Sequence, residues 1–442
     1  MFAISIHEHC IGRGFASVLL TTALGLLAAC GGSTHITTGT GNFKTVVYTG
    51  DSLTAGYQNG SLLDTQQPNG WAALVAKQAN YSVTLPLIAP PGAPAVLQLV
   101  SVGPPAVVQQ ASGSTSGRDN PNAQPTDLAV PGHKLTDLIN YGPTLVPTTD
   151  EDLITDLVLG FPLGNTNTQL QEAIALKPTT LFVWIGSNDA LVADESGMPS
   201  SMTSTASFSA DFTSLMSTLH AQTTATLIVG NIPDVTLVPY LTPATTVIAE
   251  AATQSGLSTT QISAILGITD GDYVNATGLA EVQTDLQNLA ASKPTTPLDD
   301  AGVLTAAEVT QVQAQVNAYN SVIAAQVAAV GGTLVDVNAL FTSLKTGITI
   351  NGYTATTNFL GGLFSLDGIH PTNTGYVLLA NKFIDAMNSS LGNSIPDVDV
   401  ATVAASDPLF GPNIQPGAGT KQLHIPLNAA QRTDQLIRGR AR

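Results

Sequence analysis

The sequence predicts an α/β domain in which a parallel β-sheet is covered by helices on both faces. From residue 44 onward, short apolar segments of strand length alternate with segments whose apolar residues recur at helical spacing. The strand-length segments are apolar throughout rather than at alternate positions, and strands of this kind are buried on both faces. Strands that alternate with helices pair in parallel, because each helix carries the chain back over the sheet. The predicted core is therefore a parallel sheet with helical cover.

Five segments are predicted to be strands and five to be helices. The strands are placed at residues 45–49, 83–88, 180–185, 224–229 and 333–337. The helices are placed at residues 71–80, 258–268, 279–291, 306–330 and 375–387. The helix that begins at Ala306 has the clearest signals, since Thr305 and Glu308 form a capping box and Gly331 follows its last apolar residue.

Three segments depart from this alternation. Residues 236–304 are rich in Thr and Ala and are predicted to be a mainly helical insertion. Residues 89–126 form a long extension rich in Pro, Gly, Ser and Gln. Residues 396–442 are typical of a loosely packed C-terminal tail, in which residues 423–427 could form an edge strand. The folded domain is therefore placed at residues 44–395.

The first thirty residues have the pattern of an export signal. After Arg13 an apolar run, too short to span a bilayer comfortably, ends in the segment 27–30, which reads Leu-Ala-Ala-Cys. This segment resembles the lipobox of bacterial lipoproteins, in which the cysteine is acylated; an ordinary cleavage site beside a chance cysteine is the alternative. We predict a signal peptide at 1–29, lipid attachment at Cys30 and a flexible tether at 30–43. The protein would then be an envelope lipoprotein, at the outer membrane if the organism has one, or secreted.

The charge balance excludes a main function in nucleic-acid binding. The chain has 14 Lys+Arg against 31 Asp+Glu, and its formal charge of −17 would repel a phosphate backbone. With 43% hydrophobic and only 10% charged residues, the composition also excludes a disordered chain. Both cysteines, Cys10 and Cys30, lie in the first thirty residues, so the mature domain is expected to contain no disulfide.

The first of three short motifs follows the first predicted strand. Gly50-Asp51-Ser52-Leu53 leads from the strand into a predicted helix and so places the Ser52 hydroxyl at the carboxyl end of the sheet. A helix N-terminus there offers free N–H groups and a positive dipole end, which suits a nucleophile that generates an oxyanion beside it. For this motif alone, a serine that caps a helix is the alternative.

The second motif, Gly186-Ser187-Asn188-Asp189, follows the predicted strand at 180–185. An asparagine at a strand end can donate its side-chain amide to the same oxyanion. Taken alone, the motif is typical of an Asx turn.

The third motif, Asp367-Gly368-Ile369-His370, precedes the predicted helix at 375–387. A separation of three residues across a turn lets the carboxylate reach one imidazole nitrogen while the other nitrogen faces the serine. The carboxylate would then fix the tautomer of the histidine that accepts the serine proton. A structural Asp–His pair that caps a helix is the alternative.

Together and in this order, the three motifs resemble the GDSL, or SGNH, hydrolase family of lipases and esterases over roughly residues 44–390. The resemblance implies a flavodoxin-like, three-layer α/β/α sandwich. It also implies that Ser52 is the nucleophile, that His370 is the base and that Asp367 orients this base. The oxyanion hole would consist of the Ser52 and Gly132 N–H groups and the Asn188 amide, with Gly132 matched to the family's glycine block through the segment 128–132.

The function that this resemblance implies is hydrolysis of lipid or small-alcohol esters through an acyl-enzyme on Ser52, without a metal or cofactor. The insertion and the long extension could then form a lid or an acyl-binding wall. Three alternatives remain open: a carbohydrate deacetylase, an acyltransferase that uses the same residues, and a surface-tethered binding module without activity.

Two further features do not enter this site. His133, next to Gly132, is interpreted as a solvated loop histidine; a residue that lines the site is the alternative. Asp270-Gly271-Asp272 begins like a calcium loop, but Val274 stands where a ligand is needed and no correctly spaced loop follows.

Overall fold

The computed structural model describes residues 39–103, 106–414 and 424–438. In these ranges the strands are β1 (Val46–Gly50), β2 (Leu97–Ser101), β3 (Val107–Gln110), β4 (Thr180–Trp184), β5 (Thr226–Gly230), β6 (Thr242–Pro243), β7 (Tyr273–Val274), β8 (Val303–Leu304), β9 (Thr333–Val335), β10 (Ile348–Ile350) and β11 (Tyr353–Ala355). The α-helices are α1 (Trp71–Gln78), α2 (Leu135–Asn140), α3 (Asp150–Leu159), α4 (Gln169–Ala175), α5 (Ser187–Ser196), α6 (Thr205–Gln222), α7 (Ala244–Ser255), α8 (Thr259–Leu266), α9 (Ala276–Ala290), α10 (Ala306–Ala329), α11 (Val337–Leu344), α12 (Asn373–Leu391), α13 (Val400–Ser406) and α14 (Leu427–Arg438).

The central sheet has the strand order β1-β4-β5-β9, and all of its pairs are parallel. Every residue of β1 and β4 is buried. Because side chains alternate between the two faces of a strand, burial of every position means that both faces are covered. The predicted α/β fold with a parallel sheet is confirmed.

Aromatic side chains join the helical layers to this sheet. In one layer, Trp71 of α1 stacks on Phe383 of α12 with ring centroids 3.8 Å apart. The ring of Phe182 on β4 lies 5.8 Å from that of Trp71. In another helix pair, Phe208 of α6 stacks on Tyr319 of α10 at 4.2 Å. These large rings fill the space between sheet and helices, which is where the burial of apolar area stabilises the fold.

One predicted strand is wrong, and another segment takes its place beside β1. Residues 83–88 contain no strand, and Pro86 in this segment has no N–H to give to a ladder. Instead, the segment 126–130 runs parallel to β1. The Tyr48 N–H donates to the Thr126 carbonyl (2.9 Å), and the Val130 N–H donates to the Gly50 carbonyl (3.1 Å).

The two internal extensions contain their own small sheets. Residues 236–304 hold α7, α8 and α9 together with the antiparallel sheet β6-β7-β8, so this region is mainly helical as predicted. The extension at 89–126 contains the antiparallel hairpin β2-β3. None of the helices in the described ranges is both long and apolar enough to cross a bilayer.

The prediction of a loosely packed C-terminal tail is wrong for its described residues. They form α13 and α14, and Ile425, Ala429 and Ala430 are completely buried. Residues 424–427 form no strand, since α14 already begins at Leu427. The buried positions of α14 recur at a spacing of three to four residues, which is the period of a helix.

The predicted signal peptide and Cys30 lie outside the described residues. Only the end of the predicted tether is described, and it is bound to the domain. The Gly39 N–H donates to the side chain of Asn393 (3.1 Å), and the Thr40 N–H donates to the Leu391 carbonyl (2.8 Å). The domain therefore begins a few residues earlier than the sequence indicates.

Candidate active site

The turn that carries Ser52 begins where β1 ends. The main chain passes β4 so closely that a Cβ on Gly50 would lie 2.2 Å from the Trp184 carbonyl oxygen, so only glycine fits there. The carbonyl of Asp51 accepts hydrogen bonds from the N–H groups of Thr54 and Ala55, both at 3.1 Å. Residues 51–56 thus form hydrogen-bonded turns rather than the helix that the sequence predicts. Ser52 is almost completely buried.

The turn at residues 367–370 holds an oriented Asp–His pair. Oδ2 of Asp367 lies 3.1 Å from Nδ1 of His370, and its Oδ1 accepts hydrogen bonds from the N–H groups of Ile369 and His370, both at 2.9 Å. Burial raises the pKa of Asp367, but His370 and these hydrogen bonds outweigh burial and bring that pKa below its usual value. An ionised carboxylate only accepts hydrogen bonds, so Nδ1 of His370 carries a proton.

The other imidazole nitrogen of His370, Nε2, is buried and forms no hydrogen bond with any residue in the described part of the chain, Ser52 included. In the neutral tautomer that Asp367 selects, Nε2 presents a lone pair. The ring of Tyr57 packs on the imidazole, with centroids 4.6 Å apart and planes inclined by 52°. The ring of His370 is therefore held from one side by a carboxylate and from another by an aromatic ring.

Residues 57–60 join the two turns. The Tyr57 N–H donates to the Ser52 carbonyl (3.1 Å), while the Gly60 N–H donates to Oδ2 of Asp367 (2.7 Å). Between them, Oδ1 of Asn59 accepts a hydrogen bond from the Leu366 N–H (3.0 Å). The structure thus brings Ser52 and the Asp367–His370 pair, more than 300 residues apart in sequence, into one site.

The candidate oxyanion-hole residues lie on either side of β1. Gly132 follows the segment 126–130 and Asn188 follows β4, and these two elements are the neighbours of β1 in the sheet. Because the carboxyl ends of parallel strands meet at one edge, Ser52 lies between them. Gly132 adopts φ +81°, a left-handed conformation that favours glycine. Nδ2 of Asn188 donates to the carbonyl of His133 (2.9 Å), which leaves its second hydrogen for another acceptor.

A second carboxyl group lies directly beside Ser52, the candidate nucleophile. Burial raises the pKa of Asp51 to about 7. A hydrogen bond from the Leu53 N–H and the charge of His370 both lower this pKa but do not outweigh burial. The negative charge of Asp189 raises the pKa further. The surroundings of Ser52 therefore disfavour additional negative charge, except where N–H donors face it.

The structure corrects the interpretation of His133 and adds a residue that the sequence did not indicate. His133 is completely buried rather than solvated. Gln169, the first residue of α4, is also completely buried, and its amide bonds to both main-chain groups of Gly50 at 3.0 Å. The capping box of Thr168 and Gln171 marks this helix start in the sequence, but no local pattern links Gln169 to Gly50.

In the described ranges, no group of three or more His, Cys, Asp or Glu side chains is arranged to hold a metal ion. The carboxylate of Asp272, part of the calcium-like motif, instead accepts hydrogen bonds from the N–H groups of Thr269 (2.7 Å) and Ala306 (2.9 Å). This aspartate therefore joins its own loop to the start of α10.

The sequence profile of GDSL-like lipases and acylhydrolases matches residues 46–383, well over half of the chain. The chain belongs to this family. The resemblance inferred from the three motifs is thereby confirmed, and this GDSL-like protein is a carboxylic-ester hydrolase. No protein of curated function matches the sequence.

Solved structures similar to this GDSL-like hydrolase include an acetylxylan esterase from Geobacillus stearothermophilus. The two are 14% identical, the match covers 79% of this chain and 95% of that chain, and the TM-score is 0.36. An α/β hydrolase enzyme from the metagenome of Lake Arreo, Spain, is also 14% identical. That match covers 78% of this chain and 94% of the other, with a TM-score of 0.35.

Proposed function

We propose that this GDSL-like hydrolase cleaves lipid or small-alcohol esters through an acyl-enzyme on Ser52. The observation that carries the proposal is the state of His370. Its Nδ1 is bonded to an ionised Asp367, and its buried Nε2 has no hydrogen-bond partner in the described part of the chain. A buried polar atom without a partner is uncommon unless function requires it. The bonds through residues 57–60, which join the turn of His370 to the turn of Ser52, support this role.

In the first half of the reaction, Oγ of Ser52 attacks the ester carbonyl carbon and its proton passes to Nε2 of His370. Asp367 stabilises the imidazolium that results. Collapse of the tetrahedral intermediate breaks the ester C–O bond, and the leaving alkoxide takes the proton from His370. The products of this half are the free alcohol and a covalent acyl-Ser52 ester.

In the second half, His370 removes a proton from water and the hydroxide attacks the acyl carbon. The second tetrahedral intermediate collapses, the proton returns to Oγ of Ser52, and the carboxylic acid leaves. In both halves the oxyanion accepts hydrogen bonds from the N–H groups of Ser52 and Gly132 and from the second amide hydrogen of Asn188. Because these donors are already in place before the reaction, they do not have to reorient when negative charge develops on the oxygen.

Two features support an apolar substrate. A cavity of about 350 Å³ lies beside the acid turn, and its lining is mainly apolar, with Leu97, Leu99, Leu366 and Leu409 among its residues. Leu366 directly precedes Asp367, and Asn59, which also lines the cavity, bonds to the Leu366 N–H, so the cavity lies against the turn that carries the acid. Both tryptophans of the chain are buried in the core, where neither can stack on a sugar ring. An acyl chain is therefore the substrate portion that this surface suits best.

The test is hydrolysis of p-nitrophenyl esters from acetyl to palmitoyl by the full chain, by Ser52→Ala and by Ser217→Ala. Ser217 is exposed on α6, so its variant is the matched control. We expect loss on the order of 10⁴- to 10⁶-fold for Ser52→Ala, no change for the control, and the highest rate with a longer chain. Equal rates for Ser52→Ala and the parent would contradict the nucleophile. A maximum at acetyl would favour the deacetylase.

We also propose that the enzyme is exported and anchored in the cell envelope by lipid on Cys30. The support is the sequence segment 27–30 and the export-signal pattern before it. Mass spectrometry of the N-terminal peptide should show an acylated cysteine, and Cys30→Ser should move the protein from the membrane to the soluble fraction. An unmodified N-terminus with unchanged fractionation would contradict the anchor.

A further inference from the structure

A buried side-chain network connects the nucleophile turn to the oxyanion hole. Oε1 of Gln169 accepts a hydrogen bond from the Gly50 N–H, and Nε2 of Gln169 donates to the Gly50 carbonyl, both at 3.0 Å. The same Nε2 lies 3.0 Å from Nδ1 of His133. Gln169, His133 and Thr155 are all completely buried, so water does not compete for these bonds.

The chemistry of Gly50 determines the orientation of every member of this network. A main-chain N–H only donates and a carbonyl only accepts, so the Gln169 amide can bind Gly50 in one orientation alone. Its NH₂ group then gives one hydrogen to Gly50 and the other to Nδ1 of His133. That nitrogen must be unprotonated, so His133 carries its proton on Nε2, which lies 3.2 Å from Oγ1 of Thr155.

The network ends at the residue proposed to bind the oxyanion. The carbonyl oxygen of His133 accepts the hydrogen bond from Nδ2 of Asn188 at 2.9 Å. We propose that Gln169 and His133 are positioning residues, which hold the Asn188 amide in register with Ser52. This inference rests on the proposed role of Asn188 in the oxyanion hole. Neither residue needs to touch the substrate.

Small displacements of this network should affect turnover more than binding. The oxyanion forms only in the transition state, so a misplaced donor weakens transition-state stabilisation and leaves ground-state binding largely intact. A displacement of about 1 Å can cost up to a hundredfold in rate. A residue that served only in core packing would lower stability without this separation of kcat from KM.

The first experiment compares Gln169→Met with Gln67→Met in the full chain. Gln67 is a matched control, because its buried amide likewise bonds to main-chain groups, the Ile88 N–H (2.9 Å) and the Pro86 carbonyl (3.0 Å), in a segment without site residues. We expect Gln169→Met to lower kcat roughly tenfold to a hundredfold with KM within about twofold, and Gln67→Met to leave both unchanged. Equal kcat values for the two folded variants would overturn the inference.

The second experiment asks whether Gln169 acts through Asn188. In an Asn188→Ala background the donor is already absent, so Gln169→Met should cost at most about threefold more. If the loss of kcat in the double variant equals the product of the losses in the two single variants, the inference is overturned. If Gln169→Met does not fold, the milder Thr155→Val variant takes its place. We expect a severalfold loss of kcat at constant KM for Thr155→Val, and an unchanged kcat would overturn the inference.

Failure of this inference is distinguishable from failure of the proposed function. If Ser52→Ala retains full activity, the acyl-enzyme proposal fails, and the positioning role of Gln169 and His133 fails with it. If Ser52→Ala is inactive while Gln169→Met matches its Gln67→Met control, only the positioning role is lost.

Discussion

The turn that carries Ser52 and the turn that carries His370 meet in one site, but different parts of the chain hold them in place. The Ser52 turn and the candidate oxyanion-hole residues Gly132 and Asn188 are supported by the parallel sheet and by Gln169, all within residues 46–383, the span of the family match. The His370 turn is bonded to residues 57–60 within that span, and it is also supported from outside the span. Oγ1 of Thr433 on α14 donates to the Asp367 carbonyl (2.8 Å).

Further contacts from the C-terminal segment lie at the same turn. A Cβ on Gly368 would meet the side chain of Ile425 at 2.7 Å, and Tyr240, whose N–H donates to the Gly368 carbonyl (2.9 Å), also bonds through its hydroxyl to Asp434. The comparison teaches that a complete set of family motifs does not ensure a complete site. A helix that the motifs do not include also holds the turn that carries the candidate base.

Among the variants that test this comparison, Asp367→Asn on the His370 side is expected to have the largest effect. Asparagine can present an N–H instead of an acceptor to Nδ1, which selects the wrong tautomer of His370, and kcat should fall by about 10⁴-fold with KM little changed. Steady-state kinetics with a short-chain ester measures both constants, and circular dichroism verifies folding. A loss below about tenfold would mean that the carboxylate does not orient the base.

On the oxyanion side, Asn188→Ala should lower kcat by about a hundred- to a thousandfold, equivalent to roughly 2.7–4 kcal/mol. The loss is smaller than for Asp367→Asn because two main-chain donors remain. The exposed Asn317→Ala on α10 is the control and should match the parent in kcat and KM. An unchanged turnover in Asn188→Ala would remove this residue from the oxyanion hole.

The dependence of the His370 turn on the C-terminal helix is tested by Thr433→Val. The substitution keeps the shape of the side chain but leaves the buried Asp367 carbonyl with one hydrogen bond fewer. The free energy of unfolding should fall by about 1–3 kcal/mol, as measured by urea denaturation. The exposed Thr253→Val, which removes a similar bond to the Ala249 carbonyl (2.9 Å) within α7, is the control. Equal stability losses in the two variants would show that the contact with Asp367 contributes nothing of its own.

The smallest effect is expected from Asp127→Asn, in the segment that runs beside β1, and it is a change in the pH dependence of stability. Burial raises the pKa of Asp127 to about 8, although the hydrogen bond from the Ala129 N–H lowers this pKa. The folded state thus binds a proton that the unfolded state releases near pH 4, so the parent loses stability as pH rises from about 4 to about 8.

Asparagine does not titrate, so Asp127→Asn should gain stability relative to the parent as pH rises through this window. Melting temperatures at pH 5 and pH 8 measure the difference, and comparing the two pH values cancels any constant effect of the amide. A difference between variant and parent that is the same at both pH values would contradict the raised pKa.

Much of the fold and most of the candidate site residues follow from local sequence patterns. Four of the five predicted strands and the five helices with predicted ranges appear, because buried parallel strands and capped helices have local signatures in apolar periodicity. The helix predicted to follow Gly50 does not appear, since residues 51–56 form turns. The strand at 83–88 was wrong because its apolar run contains Pro86, and the structure places residues 126–130 beside β1 instead. An apolar run alone does not determine which segment pairs with a neighbour.

The Asp367–His370 pair could be predicted because its two residues lie three positions apart, where a turn brings them together. Gln169, His133 and Thr433 could not, since their partners in this site lie 22 to 119 residues away and no local pattern marks a buried amide or hydroxyl. The sequence by itself determined the chemistry of the site through short motifs at strand ends. The tertiary structure alone decided how that chemistry is aligned, because hydrogen bonds between distant segments exist only once the chain has folded.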